Sequence, residues 1–227
     1  LAKLARGERA PGVLAGCPHE GKTAFMFTGQ GAQRAGMGAE LYETLAVFRE
    51  TLNAVCARLD PHLGRPLTDV MFAEKGTAEA SLINRTEFTQ PALFALEVAL
   101  FRVLESLGMQ PDYLIGHSIG ELAAAHVAGV FSLEHACELV AARACLMGAL
   151  PAGGAMLAVE ASETDVSATI TGLDEQVAIA AVNAPDAVVV SGDEQAVEEL
   201  EQRFAQEGLR TKRLPVSHAF HSPLMDP

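Results

Sequence analysis

The sequence predicts an α/β fold in which a larger layered unit, built on a largely parallel sheet, accepts a small β-α-β-β-α-β unit. Three observations carry this expectation. Gly116-His117-Ser118-Ile119-Gly120 stands between an apolar run, Tyr113-Leu114-Ile115, and an alanine-rich run, Leu122-Ala123-Ala124-Ala125, which reads as strand, sharp turn and helix. Helical and strand patterns alternate up to about residue 150, as layered α/β cores require. After Pro151-Ala152-Gly153-Gly154 the texture changes to short strands around two short helices.

Taken in order, residues 1–21 are polar, with Pro and Gly, and read as a linker. Thr23–Phe27 is expected as a short buried strand running into Gly29-Gln30-Gly31-Ala32-Gln33. A helix follows from about Gly38 through Phe48 towards Leu59, ended by Pro61. Pro91 suits a first helical position, after which Leu93, Phe94, Leu96, Leu100, Phe101, Leu104 and Leu107 form a broad apolar face closed by Gly108. The strand-turn-helix around Ser118 comes next, with Gly129 as a stop. Ser132 is the expected N-cap of a helix to about Leu150, with Glu134 in its first turn. Strands over 155–160, 177–182, 187–191 and 209–216, and helices over 163–171 and 194–207, then give the ferredoxin-like order. The organisation expected is therefore residues 22–153 and 217–227 in the larger unit, with 154–216 as the insert.

Composition narrows the function classes. With 227 residues, 49% hydrophobic and only 5% aromatic, the core must be built mostly from Ala, Val and Leu. A formal charge of −13 argues against nucleic acid and anionic membranes as partners, and makes any anionic substrate depend on a local positive anchor. No run approaches the ~18 apolar residues of a membrane span. The four cysteines (17, 56, 137, 145) lack Cys-x-x-Cys spacing and read as reduced thiols of a cytoplasmic protein. The absence of an initial Met and the ending Met225-Asp226-Pro227 suggest a piece of a longer chain.

The chemistry centres on Ser118. Glycines at 116 and 120 allow close backbone approach, the strained turn lifts the serine hydroxyl, and the amide of Ile119 is placed to bind an oxyanion. Such a motif points to acyl transfer or acyl hydrolysis and does not choose between them. Of seven histidines, His19 and His62 fall in expected loops, and His126 and His135 on helices. His117 is expected to turn away from its neighbour's hydroxyl. His218 and His221, where the chain re-enters the larger unit, remain as equal candidates for the base. No carboxylate stands at a strand end as a third member, so a Ser–His dyad oriented by backbone is expected. Gly29-Gln30-Gly31 is not a dinucleotide fingerprint, because Arg34 stands where Gly is needed. It can instead place Gln30 as a second oxyanion donor, or be an ordinary turn.

Phe27-Thr28-Gly29-Gln30-Gly31-Ala32-Gln33, Gln90-Pro91-Ala92, Gly116-His117-Ser118-Ile119-Gly120-Glu121, Arg143, Val182-Asn183-Ala184-Pro185 and His218-Ala219-Phe220-His221-Ser222 occur in that order. From about residue 22 onward the chain thereby resembles the acyltransferase domain of modular type I polyketide synthases, of the malonyl-CoA:acyl carrier protein transacylase family. The linker resembles the tail of the ketosynthase-to-acyltransferase connection. The resemblance implies an α/β-hydrolase-like larger subdomain with an inserted ferredoxin-like one. It makes Ser118 the nucleophile, His221 its base, and the amides of Gln30 and Ile119 the oxyanion hole. Arg143 would hold the free carboxylate of the extender unit, through a fork that Lys cannot reproduce. His117, His218, Phe220 and Asn183 would line the substrate site. His-Ala-Phe-His implies malonyl rather than methylmalonyl units, since Phe220 fills the space of an α-methyl, a preference of about 1–3 kcal/mol.

Implied partners are malonyl-CoA, an acyl carrier protein and a flanking ketosynthase domain in the same polypeptide. Coenzyme A thioester and carrier-protein phosphopantetheine enter as substrates, with no metal and no permanently bound cofactor. The rival readings are a serine esterase or thioesterase, and a truncated interaction module, because complete family members continue well beyond Pro227. Arg203, Arg210, Lys212 and Arg213 form the densest basic stretch. They are expected either to dock an acidic carrier protein, to bind coenzyme A phosphates, or to be a solvated strand edge.

Overall fold

The computed structural model describes residue 6 and residues 21–151, 153–214, 216 and 218–226. Apart from Arg6 and Gly21, the expected linker lies outside the described residues, as do Cys17 and His19.

Strands β1 (Ala24–Phe27) and β2 (Tyr113–Gly116) pair in parallel, with Phe27 opposite Gly116. Between them run α1 (Ala39–Thr44), α2 (Ala46–Leu63), α3 (Leu67–Met71), α4 (Ala78–Ser81) and the long α5 (Thr86–Ser106). The one helix expected near residues 38–59 is broken where Leu45 is extended, at φ −116° and ψ 111°. Pro61 does not end α2; the helix runs on to Gly64, at φ 71°. Pro91 is likewise inside α5 and not at its start. Proline removes one backbone bond, but the turn before it buries Thr86, Phe88, Thr89 and Gln90, and Thr89 Oγ1 donates to the Ile83 carbonyl at 2.7 Å. That burial keeps the first turn helical.

The apolar face of α5 covers one side of the sheet. Phe25 meets Phe101 edge-on with centroids 6.0 Å apart, and Phe27, Phe94 and Val98 share the same core. The other side is open. Met26 is 78% exposed and its register partner Ile115 52% exposed, so β1 is not the buried strand the sequence suggested. Parallel sheets are ordinarily covered on both faces.

Beyond β2 come α6 (Ile119–Val127) and α7 (Leu133–Ala149). Ser132 caps α7 as expected, accepting from the His135 amide at 3.1 Å. The second sheet holds β3 (Ala155–Val159), β4 (Val177–Ala184), β5 (Ala187–Gly192) and β6 (Thr211–Arg213). Its order is β4-β5-β3-β6 and every neighbour is antiparallel. With α8 (Glu163–Ile170) and α9 (Glu194–Gln206) this is the ferredoxin-like arrangement. Leu157, Val166, Val188, Val190, Val197 and Phe204 fill the space between that sheet and its helices. The opposite face of the sheet contributes Met156 and Val189 to a small cluster with Phe220. Gly153 and His218 form a parallel bridge, so the chain leaves and returns side by side.

Phe204 is 1% exposed and is the largest side chain of the smaller core. Phe204→Ala should cost about 3–5 kcal/mol in urea unfolding. A loss below about 1 kcal/mol would mean that this core is not closed around Phe204.

Candidate active site

The elbow is set by two close approaches. A Cβ at residue 120 would lie 2.4 Å from the Phe27 carbonyl oxygen, and one at 116 would lie 2.3 Å from the Glu121 backbone. Only glycine fits either position, and α6 therefore starts directly against the ends of β1 and β2. Ser118 between them adopts φ 52° and ψ −115°. The amides of Gly120 and Glu121 turn back to the carbonyls of His117 and Ser118, at 2.9 and 3.0 Å. Ile119, directly after the nucleophile, is the first residue of α6.

His221 is the other described non-glycine residue with positive φ, at 57°. Its turn is fixed by Ser222, which donates to the Ala219 carbonyl at 2.6 Å and accepts from the Leu224 amide at 3.2 Å. Strain of this kind concentrates where a side chain must be aimed. The result is a Ser118 Oγ···His221 Nε2 distance of 2.9 Å. Among the described residues no carboxylate is hydrogen-bonded to the imidazole. Burial lowers the His221 pKa from its usual 6.5, and the charge of Arg143 and the neighbouring His117 lower it further, against a smaller pull from Glu121.

Arg143, in mid-α7, reaches the same serine. Its Nη2 donates to Ser118 Oγ at 3.3 Å and its Nη1 to Gln90 Oε1 at 2.6 Å. Gln90 is fully buried and uses its amide nitrogen on Gln30 Oε1, at 2.9 Å, and on the Met147 sulfur, at 3.4 Å. A guanidinium only donates, which orients the Gln90 amide and leaves its nitrogen for Gln30. Gln90 was visible only as part of a motif. A buried glutamine on an apolar helix face needs partners, and that need was the available signal.

Ser118, His221, Gln30, His117, Asn183 and Phe220 line one cavity of about 220 Å³, roofed by Met156 and Val189 of the second sheet. His117 lines the serine's cavity, and its ring packs against Gly29. His218 does not line that cavity. Its Nε2 donates to the Leu150 carbonyl at 3.0 Å and its ring lies 5.8 Å from that of Phe220, so it stands behind the wall and supports Phe220. The basic stretch is largely neutralised. Arg210 pairs with Glu160 at 2.7 Å, Arg213 with Glu201 at 2.8 Å and Arg203 with Glu207 at 3.5 Å. Of these partners Glu201 is on α9, Glu207 directly follows it and Glu160 directly follows β3.

A strained serine held by an imidazole, beside a guanidinium and between two unlike sheets, is chemically equipped for acyl transfer through serine. A family model described as the acyl transferase domain matches residues 24–227, and the chain belongs to that family. Polyketide synthase GfsA of Streptomyces halstedii is 58% identical over 208 residues, 91% of this chain but 3% of that protein. The acyltransferase domain from the second module of the salinomycin polyketide synthase superposes with a TM-score of 0.91 at 54% identity, covering 100% of this chain and 52% of that one. Malonyl CoA-acyl carrier protein transacylase from Clostridium perfringens gives 0.77 at 31% identity, covering 91% and 65%. The α/β fold with its inserted sheet is the fold of these relatives, and the chain spans about half of the solved polyketide synthase domain.

Because the imidazole is depressed, its neutral, proton-accepting form is favoured, and acylation of Ser118 should rise with pH along a limb whose midpoint lies below 6.5. A midpoint above 7 in single-turnover measurements would rule His221 out as the base.

Proposed function

We propose that this chain transfers a malonyl unit from malonyl-CoA to the phosphopantetheine thiol of an acyl carrier protein, as part of a polyketide synthase. The 2.9 Å contact between Ser118 and His221 inside the cavity carries the reading. His221 Nε2 takes the serine proton as Oγ attacks the thioester carbonyl. The oxyanion forms against the amides of Gln30 and Ile119, and the proton then passes to the departing coenzyme A thiolate. In the second half the carrier thiol gives its proton to His221 and attacks the acyl-serine. Serine recovers its proton from the imidazolium as the malonyl thioester leaves.

Arg143 supports the choice of a carboxylated acyl group. It presents a half-buried guanidinium at the serine of a chain with net charge −13, where a free carboxylate has few other attractive partners. Phe220, 5% exposed on the cavity wall, supports malonyl over α-branched units. An adjoining cavity of about 540 Å³ that shares Gln30 and Phe220 gives room for a long thioester arm. The relatives' greater length and the open face of β1 and β2 fit a domain that continues within a longer synthase, next to a ketosynthase.

Labelled malonyl-CoA with and without carrier protein separates transferase from esterase. Label should move to the carrier thiol, with little free malonate when the carrier is omitted. Rapid release of malonate over many turnovers would favour the thioesterase reading. Arg143→Ala should cut malonyl loading by about 1.5–3 kcal/mol, roughly ten- to a hundredfold, and leave acetyl loading unchanged or raised. Equal losses on both substrates would make Arg143 a support for Gln90 and not a carboxylate anchor.

A further inference from the structure

Glu97 lies outside the serine's cavity, yet it is the described carboxyl most disturbed by burial. It is 9% exposed, and desolvation pushes its pKa up to about 7. Its Oε1 accepts from the Thr28 amide at 2.6 Å and from Thr28 Oγ1 at 2.8 Å. Its Oε2 is buried with no hydrogen-bond partner among the described residues. With Phe25, Phe27, Leu100, Phe101 and Leu104, Glu97 lines a largely apolar cavity of about 390 Å³. A carboxyl kept in such a wall costs free energy, and the two bonds to Thr28 are what an apolar side chain could not supply.

We propose that Glu97 is a positioning residue for the oxyanion site, fastening the Thr28-Gly29-Gln30 segment to α5 together with Gln90. The inference rests on the acyl-transfer reading above and extends it to a residue outside the cavity. Gln90 and Glu97 are seven residues apart, nearly two full turns, and so project from one face of the helix. Glu97 holds the first residue of the segment, and Gln90 holds the third through the 2.9 Å bond to the Gln30 side chain. Between them Gly29 is packed so closely that an added Cβ would lie 2.6 Å from the His117 ring and 3.2 Å from the His117 carbonyl oxygen. The segment is thus tied at both ends to one 21-residue helix and pressed in the middle against the elbow. Movement of the Thr28 backbone away from α5 would break its bond to Glu97, and the Gln30 side chain is held to the same helix.

The test compares Glu97→Leu with Glu97→Gln in the full chain. Glutamine keeps an Oε1 that can accept both Thr28 bonds, while leucine keeps only volume. A fluorophosphonate probe, whose phosphoryl oxygen occupies the oxyanion site, should label Ser118 about tenfold or more slowly in Glu97→Leu. The ceiling is the roughly 100- to 1,000-fold cost of removing an oxyanion donor outright. Glu97→Gln should stay within about twofold of wild type, since its bonds to Thr28 are preserved. Hydrogen exchange at the amides of residues 28–31, measured without any substrate, should accelerate in Glu97→Leu while β2 and α6 keep their protection. Should Glu97→Leu fail to fold, Thr28→Val removes one of the two bonds and should slow labelling roughly threefold to tenfold. Unchanged exchange at 28–31, or equal slowing by Leu and Gln, would overturn the proposal and leave Glu97 a filler of the core. A wild-type chain that resists the probe but shows the exchange difference would count against acyl transfer at Ser118 and leave the positioning role standing.

Discussion

The contact of residue 120 with the end of β1 is the constraint on which the site depends. Because a Cβ there would lie 2.4 Å from the Phe27 carbonyl, α6 can begin where it does only with glycine at that position. At that start point Ser118 adopts φ 52°, and Ile119, directly after it, is the first residue of α6. The same start also brings α6 against the segment after β1, since a Cβ at residue 120 would lie 2.6 Å from the Thr28 carbonyl oxygen. His221 Nε2 and Arg143 Nη2 both reach the Ser118 hydroxyl at that point.

Two long helices carry that aim outward. α7 supplies Arg143 and α5 supplies Gln90, and the 2.6 Å bond between them joins the guanidinium to the Gln30 segment. Charge follows the same logic. An acidic chain repels anions in general, and the Arg143 guanidinium is hydrogen-bonded to the neutral Gln90 amide, with the Glu121 carboxylate near enough to act on its charge. The arginines of β6 and α9 show the opposite arrangement, each spent on a glutamate.

Local chemistry was the part legible in the sequence. The glycines around Ser118, the Ser132 cap and the Gly108 stop each follow from a backbone need within a few residues, and all appear where expected. The order of the smaller sheet was legible too, because alternation of short strands and helices admits few antiparallel solutions. What was not legible depends on tertiary contact. Pro61 and Pro91 were read as helix boundaries, yet both lie inside helices: Pro91 follows a buried turn, and Pro61 stands two residues from a helix end that Gly64 sets. β1 was read as buried from its apolar letters, but burial depends on what lies across the sheet. His218 and His221 could not be separated by spacing; the difference is that one ring meets the Leu150 carbonyl and the other meets Ser118. Glu97 was invisible because its role lies in a bond to Thr28, 69 residues away.

The account stands most directly on whether Ser118 takes the acyl group with His221 as its base. Peptide mapping by mass spectrometry, after brief incubation with malonyl-CoA, reads this in one step. The account predicts a malonyl adduct on the peptide carrying Ser118, absent in Ser118→Ala and formed at least a hundredfold more slowly in His221→Ala, on the order expected for loss of a general base. An adduct on another residue, or undiminished acylation without His221, would contradict it.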